Sequence, residues 1–259
     1  MKKSVHGMKG PSAARLAAAA LGVLLVASCS GTPRDPGRIA RKLMRAHGGS
    51  RTIERIQTFT GKGFIRDLGD ATVASSNAFD IYRSGEWYKH RMLRPEGNTF
   101  GDAIVMCINA EGTWEWRKGE GLRKASPMEF LRLRYRFPAV LSWIQEEGRS
   151  PELLDSRSKD GGFRLRYRDG DFLLIVTVDR ATWLLDAVEI QSSGDTTLSF
   201  SERYGAYMDL DGIPFPQRFT GAYRGQPLYE YLLSVVELQS ELPDSVFTIA
   251  DADTTSVSR

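Results

Sequence analysis

The chain has 259 residues, 41% hydrophobic and 26% charged, with 35 Lys+Arg against 32 Asp+Glu. Four of the basic residues (Lys2, Lys3, Lys9, Arg15) and none of the acidic ones precede residue 29, so the remainder carries 31 basic against 32 acidic side chains. The basic pI of about 8.8 therefore belongs to the N-terminal segment, which excludes a nucleic-acid partner argued from charge. The only two cysteines, Cys29 and Cys107, exclude a cysteine-built zinc site.

Residues 1–28 read as a secretory signal: a basic head, an apolar run from Leu16 to Ala27, and Val26-Ala27-Ser28 before Cys29. The run falls short of the roughly 20 apolar residues of a membrane span. Small residues directly before a cysteine resemble the lipobox of bacterial lipoproteins. That resemblance implies cleavage before Cys29, diacylglycerol on its thiol and acylation of its new amine. Several acyl chains on one residue make a stable anchor. Ser30 in place of Asp after the lipidated residue resembles outer-membrane lipoproteins, so the expected location is the outer membrane, facing the periplasm. Residues 29–37 are then the lipidated Cys and a polar tether, 38–249 a single domain, and 250–259 a polar tail.

A helix is expected over 36–47. Asp35 can cap it, Pro36 suits its first position and Gly48 stops it. Ile39, Ala40, Leu43 and Met44 form its apolar face, with Arg38, Arg41, Lys42 and Arg45 opposite, and His47 lies in its last turn, where a charge would suit the helix dipole. Strands punctuated by turns follow. Phe163 to Arg168 alternates strictly, Asp169-Gly170 is a hairpin signal, and Phe172, Leu174, Val176 and Val178 return in register. Cys107 falls in an apolar strand, where it reads as a small buried hydrophobe. Eleven or twelve antiparallel strands are expected, too many for a flat sheet. One segment interrupts them. Ser126-Pro127-Met128-Glu129 is a capping box, and Phe130, Leu133, Phe137, Leu141 and Ile144 follow at helical spacing. Pro138 should split that helix. Leu131, Tyr135 and Trp143 fall off the stripe, giving it more apolar surface than one contact requires. In the last strand Leu228, Leu232, Val236 and Leu238 share one parity, and Tyr229, Tyr231, Leu233 and Val235 the other. Such a sheet is covered on one face and lines something apolar on the other.

The helix ending Ala46-His47-Gly48-Gly49, the strand from Ile56 to Ile65, the run Tyr207 to Pro216 around Asp209-Leu210-Asp211-Gly212, and Leu238 to Pro243 with Phe247 resemble the LolA/LolB-like superfamily of bacterial outer-membrane lipoprotein-sorting and lipid-binding proteins. The resemblance implies a mainly β fold: an incomplete antiparallel barrel of about eleven strands, with helices 36–47 and 127–147 covering its open side and acyl chains bound between. It implies a binding protein, not an enzyme, with lipid acyl chains or lipoproteins as partners and no cofactor. No G-x-S-x-G, H-E-x-x-H or P-loop is present, and Asp209 to Gly212 reads as a β-turn rather than a calcium loop. No catalytic residue and no metal ligand is therefore assigned.

The expected cavity lining is Phe130, Leu133, Phe137 and Leu141 from the helices, facing Phe64, Phe79, Ile81, Trp114 and Trp116 from the sheet. The same residue types build a packed core. A long acyl chain left in water costs on the order of 10 kcal/mol, which is what apolar walls must replace. Seven basic residues lie between Arg117 and Arg136 against two acidic ones. Arg132, Arg134 and Arg136 are candidates for docking anionic headgroups. The alternative is a structural or interaction lipoprotein whose packed barrel docks an envelope protein.

Overall fold

The computed structural model describes residues 35–56, 58–68, 76–83, 87–96, 99–109, 112–117, 121–146, 148–155, 161–194, 199–238, 241–243 and 247. The signal segment, Cys29, most of the tether and the tail lie outside these residues.

Helix α1 (Pro36–Ala46) starts and stops where the chain directs it. Asp35 Oδ1 accepts from the Gly37 amide at 2.9 Å, and Ile39, Leu43 and Met44 are buried. Gly48 turns the chain with φ of +91°, and the Gly49 amide donates to the Met44 carbonyl at 2.8 Å. A short helix α2 (Ser50–Arg55) leads into the strands.

These are β1 (Thr58–Asp67), β2 (Ser76–Arg83), β3 (Trp87–Glu96), β4 (Thr99–Asn109), β5 (Gly112–Arg117), β6 (Gly121–Lys124), β7 (Glu152–Asp155), β8 (Phe163–Asp169), β9 (Phe172–Val178), β10 (Leu185–Ser192), β11 (Ser199–Leu210), β12 (Ile213–Tyr223) and β13 (Gln226–Leu238). Helices α3 (Pro127–Arg134) and α4 (Ala139–Gln145) fall between β6 and β7. One sheet runs β6-β5-β4-β3-β2-β1-β13-β12-β11-β10-β9-β8-β7. Every pairing in it is antiparallel. The sheet is not closed. Its two edges, β6 and β7, are both short, which limits the unpaired backbone they present. The α3–α4 segment connects those two edges. An incomplete antiparallel barrel with helices across the opening is thus the observed class, with thirteen strands among the described residues rather than eleven or twelve. Among the described residues no helix is long and apolar enough to cross a membrane.

The turns carry the register. Asp211-Gly212 and Arg224-Gly225 have positive φ at both residues, the geometry that matches strand twist in a two-residue hairpin. Asp209 Oδ1 accepts from the Gly212 amide at 2.8 Å, a turn as expected. The β8–β9 loop falls one residue later than its sequence signal. Asp169 pairs with Phe172, so Gly170 and Asp171 form the loop.

The parity of β13 does not run straight through. Lys62 pairs with Val235 and Gly63 with Leu233, which leaves Ser234 as an extra residue whose hydroxyl donates to the Lys62 carbonyl at 3.0 Å. This bulge turns Tyr229, Tyr231 and Leu233 inward on one side of it and Val236 and Leu238 inward on the other. Leu228, Leu232 and Val235 are left exposed. Gly63 is required at the bulge because a Cβ there would meet the Leu232 carbonyl oxygen at 2.0 Å. At Gly61 the one atom a Cβ would meet under 3 Å is the end of the Leu233 side chain, at 2.8 Å. Gly63→Ala should therefore destabilise by about 3 kcal/mol, the upper part of the overpacking range, and Gly61→Ala by about 1 kcal/mol. Urea unfolding of the two variants checks the ranking; equal losses would show that the bulge backbone can give way.

Candidate functional site

The α3–α4 segment sits inside the curve of the sheet. Pro138 separates its helices as expected. The Ser126 carbonyl accepts from the Phe130 amide, and the α4 turn starts with the Val140 amide donating to the Arg136 carbonyl. Leu133, Phe137 and Leu141, three of the four expected lining residues, are fully buried, and Phe130 is partly buried against the core. Leu131, Tyr135 and Trp143 are buried as well, because the break at 135–138 turns each short helix to present a different face. The segment thus buries apolar side chains on more than one face. Phe137 packs edge-on to Phe215 at 5.0 Å, and Phe215 edge-on to Phe59 at 5.4 Å, which links the helices to β12 and β1. The Tyr135 hydroxyl donates to the Asp169 carboxylate at the β8–β9 turn.

The sheet side of the expected lining is placed differently. Buried Phe59 pairs with buried Tyr82, which fixes the inward row as Phe59, Gly61 and Gly63 on β1 and Ala78, Asp80 and Tyr82 on β2. Ile81 pairs with Thr60 and Phe64 with position 77, so Ile81 and Phe64 stand in the other row. Phe64 is 52% exposed on the outer face. On β4 and β5, Met106 pairs with Glu115 and contacts Arg132 of the inserted helix, so Trp114 and Trp116 stand in the outward row, with Trp114 opposite Cys107. Phe64, Ile81, Trp114 and Trp116 thus occupy the outward row, because one residue of register exchanges the faces; the side chain of Phe79 lies outside the described residues. Cys107 is buried on that outer face, where its thiol donates to the Phe247 carbonyl at 3.3 Å. The inward row of this half is more polar than an apolar lining requires.

Its centre is a buried charged cluster. Arg136, 5% exposed, lies between the helices, with Nη1 3.2 Å from Asp80 Oδ2 on β2 and Nε 3.3 Å from Glu202 Oε1 on β11. The guanidinium stands 4.7 Å from the Phe219 ring and 5.2 Å from the Tyr231 ring. Tyr229 donates its hydroxyl to Glu202 Oε1 at 2.6 Å. Burial, then the Glu202 charge, raise the pKa of that hydroxyl, which keeps it a donor. β2 and β11 are four strand steps apart, about 19 Å on a flat sheet. One guanidinium reaches both, so the sheet curls until the two strands face each other across the interior.

This placement corrects the headgroup-docking assignment. Arg136 is an interior group. Arg132 also turns inward, its guanidinium 5.8 Å from the Phe200 ring and 5.7 Å from the Tyr229 ring. Arg134 alone of the three is at the surface, 3.5 Å from the Asp169 carboxylate. Helical spacing of four residues puts Arg132 and Arg136 on one face, and the enclosed seat of the segment makes that face an inner one.

His47 is also an interior group, not a charged partner of the α1 dipole. It is fully buried, between Phe137 and Tyr207. Its Nδ1 lies 3.2 Å from the Pro214 carbonyl, which can only accept, and its Nε2 lies 3.2 Å from the Leu185 amide, which can only donate. The ring is therefore neutral with its proton on Nδ1. Burial lowers its pKa to about 4, against the upward pull of the Pro214 bond.

The sequence reading missed Asp80, Glu202 and Tyr229. Each looks like an ordinary strand residue, and the only signal was the inward parity they share with buried neighbours. No family model matches the chain, and no curated protein matches it in sequence. Solved structures do match. A LolA superfamily protein from Nitrosomonas europaea aligns with a TM-score of 0.55 at 16% identity, over 83% of this chain and 97% of that one. A DUF1329 family protein from Desulfovibrio piger aligns at 0.54 and 13%, over 83% and 98%. A domain assigned to outer-membrane lipoprotein sorting, from Vibrio parahaemolyticus, aligns at 0.51 and 13%, over 81% and 94%. The open antiparallel barrel with its enclosed helical insert is the fold that this chain shares with these three structures, one of them a LolA superfamily protein.

Proposed function

We propose that the protein is a lipid-anchored envelope protein that binds acyl chains of lipids or lipoproteins, in transport or sorting at the outer membrane. The carrying observation is the α3–α4 segment. It buries apolar side chains on more than one face, it fills the concave face of an open sheet, and it joins that sheet's two free edges. Moving it outward would expose Phe59 and Phe215 together with its own Leu133, Phe137 and Leu141, a surface of the kind an acyl chain replaces. The fold shared with lipoprotein-sorting proteins and the lipobox-like Val26-Ala27-Ser28-Cys29 support the same reading. The test is native mass spectrometry with solvent extraction on the chain from Ser30 onward, exported to a periplasm. This chain holds the whole sheet and both helix pairs. A retained phospholipid or acylated peptide is the expected result. A clean apo mass, with no uptake of a fluorescent fatty acid, would overturn the proposal.

The second reading, a packed barrel that docks an envelope protein, draws on the outer face. Phe64 and Leu232 are cross-strand partners there, 52% and 45% exposed, with Val235 close by. Retained lipid in a Phe64→Ser, Leu232→Ser variant would separate the two, since this face is not the one the helices cover.

A further inference from the structure

We infer that the exposed basic face of α1, with Trp183 beside it, docks the domain onto the anionic headgroups of the membrane that carries it; this rests on the lipid-anchored part of the reading above. Helix α1 holds Arg38, Arg41, Lys42 and Arg45 and no acidic residue. Spacings of three, one and three put all four on one side of the helix, away from the buried Ile39, Leu43 and Met44. Arg38, Arg41 and Arg45 are exposed. Arg41 lies 3.5 Å from Asp35, a surface contact that water screens. Among the described residues Arg38, Lys42 and Arg45 have no acidic partner. The chain after residue 28 carries 31 basic against 32 acidic side chains, so attraction to an anionic surface comes from this face and not from net charge.

Trp183 is the second element. Asp179 fixes the β9–β10 turn, its Oδ1 accepting from the Ala181 and Thr182 amides at 3.0 and 2.7 Å. The turn presents Trp183 at a φ of +63°, a left-handed conformation that is unfavourable for a bulky side chain. Its ring stacks on Phe163 at 5.1 Å, and Lys42 Nζ stands 3.9 Å from its centre. The ring is only partly buried. A half-exposed tryptophan among cations suits the headgroup level of a bilayer, where the ring meets apolar matter and the charges meet phosphate. The anchor brings such a surface to this face. Five residues separate Cys29 from Asp35, a reach of at most about 20 Å, and α1 starts at the end of that tether. At its other end α1 runs into His47, whose ring lies 5.5 Å from that of Phe137 in the insert. A docked α1 therefore holds one end of the insert's seat on the membrane side of the molecule.

The test uses the chain from Ser30 onward, so that no acyl anchor masks the surface. Its partition onto vesicles of equimolar phosphatidylglycerol and phosphatidylcholine is compared with that onto phosphatidylcholine alone, at low ionic strength. The wild type should prefer the anionic vesicles. Arg38→Gln with Arg45→Gln should weaken that partition roughly 25-fold, about fivefold for each charge near the surface. Arg218→Gln with Arg224→Gln removes the same charge from exposed positions on β12 and its turn, and should leave the partition unchanged. Equal weakening by the two pairs would assign the binding to net charge and overturn the docking face. Equal partition of the wild type onto both vesicles would overturn it too, and leave the face to an acidic protein. Brominated phosphatidylglycerol should quench tryptophan fluorescence in the wild type and lose most of that effect in Trp183→Phe. Quenching unchanged in the variant would put another face on the lipid and overturn the proposal. Native mass spectrometry reads the acyl-chain site separately. A retained lipid without a preference for anionic vesicles would overturn the docking face alone, and a clean apo mass with that preference would overturn the acyl-chain reading alone.

Discussion

Arg136→Ala is expected to remove about 3–5 kcal/mol of folding stability, the usual consequence of deleting one member of a buried ion pair. The lost attraction is the smaller part. Asp80 and Glu202 are 2% and 1% exposed, so the deletion leaves two carboxylates out of reach of water, facing each other across the curled sheet. Arg136→Met should be nearly as damaging, although it fills much of the same volume. Adding Asp80→Asn and Glu202→Gln to Arg136→Met should then recover most of the loss, because none of these three positions then carries a buried charge. Denaturant unfolding of the single, double and triple variants measures this. A loss under about 1 kcal/mol for Arg136→Ala, the size of a surface ion pair, would mean that the cluster is solvated. The helices would then be held only by apolar packing.

Acid should weaken the protein through His47. Its pKa falls from 6.5 to about 4 on folding, so between those values the unfolded chain binds the proton and the folded chain does not. The contribution is fully present above pH 6.5, declines as pH falls toward 4, and amounts to about 3 kcal/mol in all. The cause is local. A proton on Nε2 would point at the Leu185 amide, which also donates, and the charge would sit between Phe137 and Tyr207. His47→Gln removes the titration and keeps a donor and an acceptor. Urea midpoints at pH 7 and pH 4.5 should therefore converge in the variant relative to wild type. An equal drop in both proteins would assign the acid sensitivity to other groups. His47 bridges α1, β10, β12 and Phe137 of the insert, so in wild type the same pH range should loosen the seat of the α3–α4 segment.

Much of the fold was legible before any coordinates. The Asp35 cap, the Gly48 stop and the hairpin signals are local chemistry, in which a residue's own φ preference or hydrogen-bonding reach decides the outcome within a few positions. The alternation of Phe163 to Arg168 is legible for the same reason, and there the apolar residues are inward and the arginines outward. Splitting of the insert at Pro138 needed only a missing amide and a ring clash. Burial of its off-stripe residues Leu131, Tyr135 and Trp143 followed from an excess of apolar surface that one contact could not cover.

The site was legible only on its helical side. On β1, β2 and β5 the aromatic and aliphatic residues were taken as inward, yet Phe64, Ile81, Trp114 and Trp116 occupy the outward row. Strand side chains alternate every residue. A choice of face therefore depends on pairing partners far away in sequence, and on bulges such as that at Ser234, which reverse it midway along β13. Size and apolarity cannot supply that choice where both rows hold large side chains.

The sequence by itself determined the N-terminal signal pattern, the succession of antiparallel strands, the Asp35-capped first helix and the split helical insert, because each rests on contacts between near neighbours in the chain. Only the tertiary structure decided which face of each strand is inside, that Arg132 and Arg136 turn inward, and that His47 is neutral. It alone brought Asp80 and Glu202, from strands four steps apart, onto one guanidinium. Those outcomes depend on the curvature of the whole sheet and on the burial it imposes. Burial sets the charge state of an ionisable side chain and selects its partner.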